Sequence, residues 1–439
     1  MSKYTPVIGL EIHVQLATKS KMFSRCSADW FGKAPNTVIC PVSLGLPGAL
    51  PVPNKKAIEW AILIGMALNC EQNKVSKFDR KHYFYPDLPK GYQISQYDQP
   101  FSFDGYYEFI SKASGEPKRV RIKRVHLEED TGKLIHEGDE TLVDFNRSGM
   151  PLVEIVTEPD FDNSDDVKQF LEELQTIIRS QRVSEADMER GSMRLEPNIS
   201  LRREGETELP NYKVEVKNIN SFNFAKRAID FEVKRHAEML DRDETPQQET
   251  RGYNESKGIT VSQRIKEEAA DYRYFPEPDI PPFVFDDVFF ENIRKQMLEL
   301  PHEKVKRYVD KGISADEAYI ITRDRDGGLL FDKLIEGLDD AMAAKAAKLV
   351  VNKKFALTDD IVKAVKEMKE LLQPKETDQG LLDSVVAEVI AQNPSQVESY
   401  KQGKETVLMF FVGQVMKGMK GQADAQKVQE VLKRALSSS

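Results

Sequence analysis

The first strongly patterned segment runs from Val7 to Leu16. Ile8, Leu10, Ile12, Val14 and Leu16 are apolar, while Glu11, His13 and Gln15 take the alternate positions. A period of two predicts a strand with one face on a core and Glu11 and His13 together on the other. The apolar stretch Ala57 to Cys70 contains Glu59 and follows Pro51 and Pro53-Asn54, so it reads as a core helix too short to cross a bilayer. Ser164 is placed as an N-cap, followed by a helical stripe of Val167, Phe170, Leu171, Leu174, Ile177 and Ile178. A further helix is predicted from Phe222 to Leu240, with strand-like runs at Asn198–Leu201 and Tyr212–Lys217. No regular strand–helix alternation appears, which predicts an α+β body with a predominantly antiparallel sheet.

The pattern changes near Pro281-Pro282. Asp287 to Leu372 reads as helices broken at Leu300-Pro301 and Asp326-Gly327-Gly328, and Gln373–Gly380 reads as a linker. From Leu381 to Ser439 two or three short amphipathic helices are expected. The expected division is residues 1–290, 291–375 and 381–439, a catalytic body followed by an all-α domain and a small helical tail.

Composition narrows the function classes. The 439 residues allow two or three domains, and 31% charged against 40% apolar residues is a soluble globular balance. A net charge of −9 removes any global footprint for nucleic acid and leaves local basic strips. Lys118–Arg124 is one, readable as a phosphate-facing surface or as a charged edge strand. The tail is another. From Lys401 onward Lys401, Lys404, Lys417, Lys420, Lys427, Lys433 and Arg434 stand against Glu405, Asp424 and Glu430. That suits an RNA-touching appendage or a solvated bundle face equally. Three cysteines argue against a disulfide framework and for a reducing compartment, and Met1-Ser2-Lys3-Tyr4 leads straight into the first strand without a signal-peptide pattern, so a cytoplasmic protein is expected.

The chemistry concentrates in a second acidic group: His126-Leu127-Glu128-Glu129-Asp130, then Asp144-Phe145-Asn146-Arg147, then Pro151-Leu152-Val153-Glu154. Carboxylates converging with one imidazole form an oxygen-rich site for a hard divalent cation, and Mg²⁺ is held by a few carboxylates, waters and substrate phosphates. Phosphoryl chemistry follows as the expectation. Walker A, kinase-type glycine loop and dinucleotide fingerprints are missing, so nucleotide contacts cannot be read from a generic motif.

Several long runs, Val7–Leu16, Phe78–Gln96, His126–Asp130, Asp144–Ile155, Glu215–Phe222, Asp271–Asp279 and Gly413–Lys417, resemble the B subunit of the tRNA-dependent amidotransferases. The resemblance covers essentially the whole chain. It implies a cradle-like catalytic domain followed by helical domains that meet tRNA. It implies ATP-dependent phosphorylation of the side-chain carboxylate of Glu-tRNA(Gln) or Asp-tRNA(Asn), then amidation by ammonia. The implied partners are an amidase, the A subunit, which releases that ammonia from glutamine, and a small C subunit, in a heterotrimer. Glu11, Glu128 and Glu154 are the expected Mg²⁺ ligands, with His13 and Glu129 completing that site or holding a second cation. Arg147, Lys81 and Arg80 are the candidates for phosphate neutralisation, or else structural ion pairs.

The sequence departs from that family in three places, one of them the helical region between Leu372 and Leu382, which is shortened relative to the family, so a different tRNA selectivity is expected. Where many relatives carry four zinc-binding cysteines, this chain has Ser24, Cys26, Cys40 and Ser43, so no zinc is expected. Glu196-Pro197 stands where the family has Asp-Ala. A non-catalytic tRNA-binding scaffold and a free-standing metal-dependent kinase are the competing readings. The intact acidic residues oppose the first and the basic helical tail the second.

Overall fold

The computed structural model describes residues 3–265, 272–373, 379–404, 406–419 and 423–438. The chain divides into two compact units, Met1–Arg307 and Tyr308–Ser439. In chain order the strands of the first unit are β1 Tyr4–Gln15, β2 Glu71–Gln72, β3 Val75–Ser76, β4 Asp79–His82, β5 Tyr92–Ser95, β6 Ser102–Ile110, β7 Pro117–Glu129 and β8 Lys133–Glu137. They continue as β9 Glu140–Asp144, β10 Pro151–Thr157, β11 Met193–Arg203, β12 Val214–Lys217, β13 Glu249–Asn254, β14 Ile259–Ile265, β15 Phe275–Pro276 and β16 Phe283–Val284.

Nine strands form one sheet in the order β14-β13-β12-β11-β1-β10-β7-β6-β2. The expected α+β body is borne out, and every pairing in this sheet is antiparallel except β12 with β13. A parallel pair needs a crossover, and helix Phe222–Leu240 supplies it between those two strands. A second strand–helix–strand passage runs from β10 through Ser164–Ser180 to β11, on the two sides of β1, so the two crossovers are separated by other strands and do not read as regular alternation.

The even positions of β1 behave as the alternation predicts. Ile8, Leu10, Ile12 and Val14 lie in one core with Ile62 from Lys55–Ala67, Phe170 and Leu174 from Ser164–Ser180, and Ala225 and Ile229 from Phe222–Leu240. Asn54 caps the first of these helices, accepting from the Lys56 and Ala57 amides. The second helix corrects the expected cap by one residue: Asn163 accepts from the Asp166 amide at 2.8 Å, and Ser164 begins the helix with its hydroxyl on Asp230. The crossover helix is fixed from inside by Glu232, which takes Arg235 at 2.7 Å, His236 at 2.9 Å and Arg251 of β13 at 3.1 Å. Burial would raise the Glu232 pKa, but bonds from His236, Arg235 and Thr260 hold it at about 2.

The strip Lys118–Arg124 is not an edge strand. It lies in β7, between β10 and β6, and its cations meet acids from neighbouring segments: Lys118–Asp162 at 2.7 Å, Arg119–Glu108 at 3.2 Å and Arg121–Asp160 at 2.7 Å.

The second unit is helical throughout its described residues. Asp326-Gly327-Gly328 does not break it. The break is at Asp324, whose side chain accepts from the Gly327 amide and caps helix Arg325–Glu336. The expected linker Gln373–Gly380 falls largely on 374–378, outside the described residues. The tail has four described helices, Gln379–Gln392, Pro394–Lys401, Val407–Gly418 and Ala425–Ser438, around Leu382, Val386, Phe411, Val415, Val428 and Leu432. Lys401, Lys404, Lys417, Lys427, Lys433 and Arg434 are exposed on it, and Lys420 lies outside the described residues. No helix among the described residues is long and apolar enough to cross a membrane.

Ile12 is fully buried, directly between Glu11 and His13 in sequence and on the opposite face of β1. Ile12→Ala should lower the stability of the first unit by about 2–5 kcal/mol, read as a lower urea midpoint with an unchanged slope.

Candidate active site

Three adjacent strands build the site by register alone. Glu154 of β10 is paired with His13 of β1 on one side and with His126 of β7 on the other. Glu128 lies two residues along β7, hence on the same face. The ligand atoms of His13, Glu128 and Glu154 lie within 4.8 Å of one another. His13 Nε2 is 3.4 Å from Glu154 and 3.9 Å from Glu128, and His126 Nε2 is 3.3 Å and 3.7 Å from the same two carboxylates. Both glutamates and His126 are buried.

Two carboxylates held this close in a buried site must be neutralised. Burial would lower the His13 pKa, but the bond to Glu154 and the charges of Glu154, Glu196 and Glu128 outweigh it and hold it at about 9. Burial would raise both carboxylates; the imidazoles, and Lys81 for Glu128, hold them ionised, Glu154 well below the usual range. His126 is raised too, against its burial, by Glu154 and Glu128. Arg124 Nε lies 3.3 Å from His126 Nδ1; when that imidazole is neutral, Nδ1 accepts from Arg124 and the remaining proton sits on Nε2, facing the carboxylates. Ser95 Oγ donates to Glu128 at 3.0 Å. Lys81, over the Tyr272 ring at 5.0 Å, is raised against its burial by Glu128 and Glu154.

The remaining expected site residues go elsewhere. Glu11 shares the His13 face of β1, but its carboxylate accepts from Asn198 Nδ2 at 3.1 Å, outside the three-ligand cluster. Glu129 is the neighbour of Glu128, so it faces the other way. Its carboxylate accepts from the Ile94 amide at 3.1 Å and from Lys90. A common site for Glu128 and Glu129 is thus corrected: strand alternation separates them. Arg80 makes a two-point pair with Glu277 at 2.7 and 2.8 Å and lies 3.4 Å from Asp279. Arg147 donates to the carbonyls of Thr131 at 3.0 Å and Gly132 at 2.6 Å, and Asp130 is 3.6 Å away. Of the three candidate cations only Lys81 stands by the carboxylate cluster.

His126 is not among the residues expected at the site. Its signal is present in the sequence, because His126-x-Glu128 repeats the Glu11-x-His13 alternation on another strand. The group of Glu196, Glu215 and Lys217 is less visible. Lys217 Nζ is 2.8 Å from Glu196 and 2.9 Å from Glu215. Burial raises Glu196 and Glu215 adds to it, against the pull of Lys217 and His13. The side-chain amide oxygen of Gln15, two residues beyond His13 on the same face, is buried with no partner among the described residues.

A family model described as the GatB/GatE catalytic domain matches residues 6–291, and one described as the GatB domain matches residues 331–436. The chain belongs to this family. The resemblance read from the motifs holds over the whole length. The chain is 43% identical to the aspartyl/glutamyl-tRNA(Asn/Gln) amidotransferase B subunit of Thermoanaerobacter pseudethanolicus over 479 residues, covering 99% of this chain and 100% of the relative. The B subunit of Thermotoga maritima is 41% identical over 481 residues, covering 99% of each chain. That of Carboxydothermus hydrogenoformans is 42% identical over 486 residues, covering all of both. The cluster of His13, Glu128 and Glu154 therefore lies inside a catalytic domain of the ATP-dependent, glutamine-using ligases.

The His13 pKa gives a pH test in metal-free protein. A pKa raised from about 6.5 to about 9 on folding stabilises fully below pH 6.5, and that contribution fades as pH rises through 9. The stability difference between the wild type and His13→Gln should therefore shift against the wild type from pH 6.5 to pH 9. A difference that stays flat across this window would reject the assignment of the charge to His13.

Proposed function

We propose that this chain is the phosphorylating and amidating subunit of a glutamine-hydrolysing tRNA-dependent amidotransferase. It converts Glu-tRNA(Gln), Asp-tRNA(Asn) or both to the amides, in the cytoplasm. The observation that carries this reading is the His13–Glu154–His126 row with Glu128 beside it, on one sheet face of a catalytic domain of this family, with Glu154, His126 and Glu128 buried and His13 at the edge of solvent. A side-chain carboxylate is a poor electrophile, and its phosphorylation by ATP supplies a leaving group for ammonia to displace. The relatives are named as B subunits, which supports an assembly with other chains: an amidase that frees ammonia from glutamine, and a small third subunit.

Glu128, Glu154 and His13 fit a divalent cation, with Mg²⁺ the natural choice beside phosphates. A cation held there would neutralise phosphate charge during transfer. Glu11, beyond the three-ligand cluster, is the candidate for a second cation or an outer contact. The protein's own groups prepare that position. Ser95 orients the Glu128 carboxylate, and Arg124 fixes the proton of neutral His126. Lys81 supplies a positive charge beside the carboxylates for an incoming phosphoryl group. Imidazolium protons must leave for a cation to bind, so cation affinity rises with pH.

Zinc has no part in this reading. Two thiolates and two hydroxyls do not make a closed tetrahedral site, and the Ser24 and Ser43 hydroxyls are engaged with the Cys40 sulfur at 3.3 and 3.4 Å.

Glu128→Gln should lower ATP-dependent amide formation by at least about a hundredfold while the partner's glutamine hydrolysis continues. Wild-type amidation by that variant would refute the site. Deleting Leu381–Ser439 should raise the KM for tRNA with little change of kcat at saturation. It should also reduce the salt slope of tRNA binding by roughly 0.7 to 0.9 for each phosphate that the tail neutralises. Unchanged tRNA affinity and salt dependence would exclude the tail from tRNA contact.

A further inference from the structure

Segments 20–27 and 38–43 meet in a small polar knot away from the carboxylate row. Ser24 Oγ accepts from the Cys26 amide at 3.3 Å and from the Cys40 thiol, also at 3.3 Å. One oxygen thus bridges the Cys26 backbone and the Cys40 sulfur, which brings the two cysteines side by side. The Ser43 hydroxyl lies 3.4 Å from Cys40 Sγ, and the Ser43 amide donates to that sulfur, also at 3.4 Å. Lys21 stands behind both cysteines, its stem buried and its Nζ donating to the Val38 carbonyl at 2.7 Å. Both cysteines are half-buried, within reach of a small reagent.

We propose that Cys26 and Cys40 are a redox modification site, a dithiol that closes to an intramolecular disulfide when a small-molecule disulfide such as oxidised glutathione is present. The Cys40 thiolate attacks one sulfur of the oxidant. That S–S bond breaks, and one glutathione leaves as a thiolate. The Cys26 thiolate then attacks the Cys40 sulfur of the mixed disulfide and expels the second glutathione. The two cysteine protons end on the two departing thiolates. The protein dithiol is oxidised by two electrons and the oxidant is reduced by two.

The asymmetry of the knot decides the order. Burial raises the Cys40 thiol, but the Ser24 and Ser43 hydroxyls and the Ser43 and Val42 amides outweigh it and leave it below the ordinary value, so Cys40 is the attacking sulfur. Cys26 is raised, chiefly by burial, and suits the resolving role. Cys70 takes no part: burial pushes its thiol up to about 12.

The test uses the full chain in glutathione buffers of stepped reduced-to-oxidised ratio. Samples are quenched in acid, alkylated and read by peptide mass spectrometry. The expected result is a peptide pair joined through Cys26 and Cys40, both sites becoming resistant to alkylation together in one two-electron transition. Ser24→Ala with Ser43→Ala should slow alkylation of Cys40 at neutral pH by about tenfold, with little change at Cys26. Cys26→Ser should trap Cys40 as its mixed disulfide with glutathione. The proposal is overturned if wild-type Cys40 is glutathionylated while Cys26 stays alkylatable. It is equally overturned if both remain thiols at ratios where the urea-unfolded chain forms the bridge.

Discussion

The fold of the first unit depends on keeping two ionised carboxylates, Glu128 and Glu154, side by side in a buried place. Neighbouring strands run about 4.8 Å apart, so paired residues on one face are forced into contact whatever their charge. Each carboxylate without a partner would cost several kcal/mol. The imidazoles of His13 and His126 meet that cost from the two flanking strands, and Lys81 does so from a separate three-stranded sheet. The sheet order β1-β10-β7 is thus an electrostatic requirement as well as a hydrophobic one. A shift of one residue in either ladder would turn site side chains into the core and bring apolar neighbours such as Val153 or Ile155 to the site.

The elements with a strong single period are legible in the chain. β1 shows both its buried face and its chemical face. The Phe222–Leu240 helix has the bounds its pattern implies, because Ser221 caps it and the apolar stripe is continuous. Caps decided by a one-residue choice are not legible. Asn163 and Ser164 are both good caps in isolation, and only the contact of Ser164 with Asp230 separates them. Gly327-Gly328 reads as a breaker locally but sits in a first helical turn, where Asp324 satisfies the open amide.

At the site, residue types are visible in the sequence and pairings are not. Glu128 and Glu129 look alike there, and alternation alone sends one to the imidazoles and the other to Lys90. Much of the longest motif proves architectural. Asn146 is fully buried and clamps the 34–38 loop, accepting from the Val38 amide at 2.7 Å and donating to the Ala34 carbonyl at 2.8 Å. Arg147 and Arg80 spend their guanidinium groups on carbonyls and carboxylates of neighbouring turns. A motif that surrounds a catalytic residue holds it still as much as it reacts, and sequence alone does not separate the two uses.

The central position of β1 has a consequence for biosynthesis. Its two partners are β10 and β11, so β1 cannot complete its pairing until Arg203 has followed it out of the ribosome. At about 5–20 residues per second that is a wait of roughly 10–40 s. Until β10 emerges both edges of this alternating apolar strand are open, and one stays open until β11 follows. The nascent chain is most vulnerable to aggregation in this interval, and chaperone cover over the stretch from β1 to β11 would matter more than any property of the finished sheet.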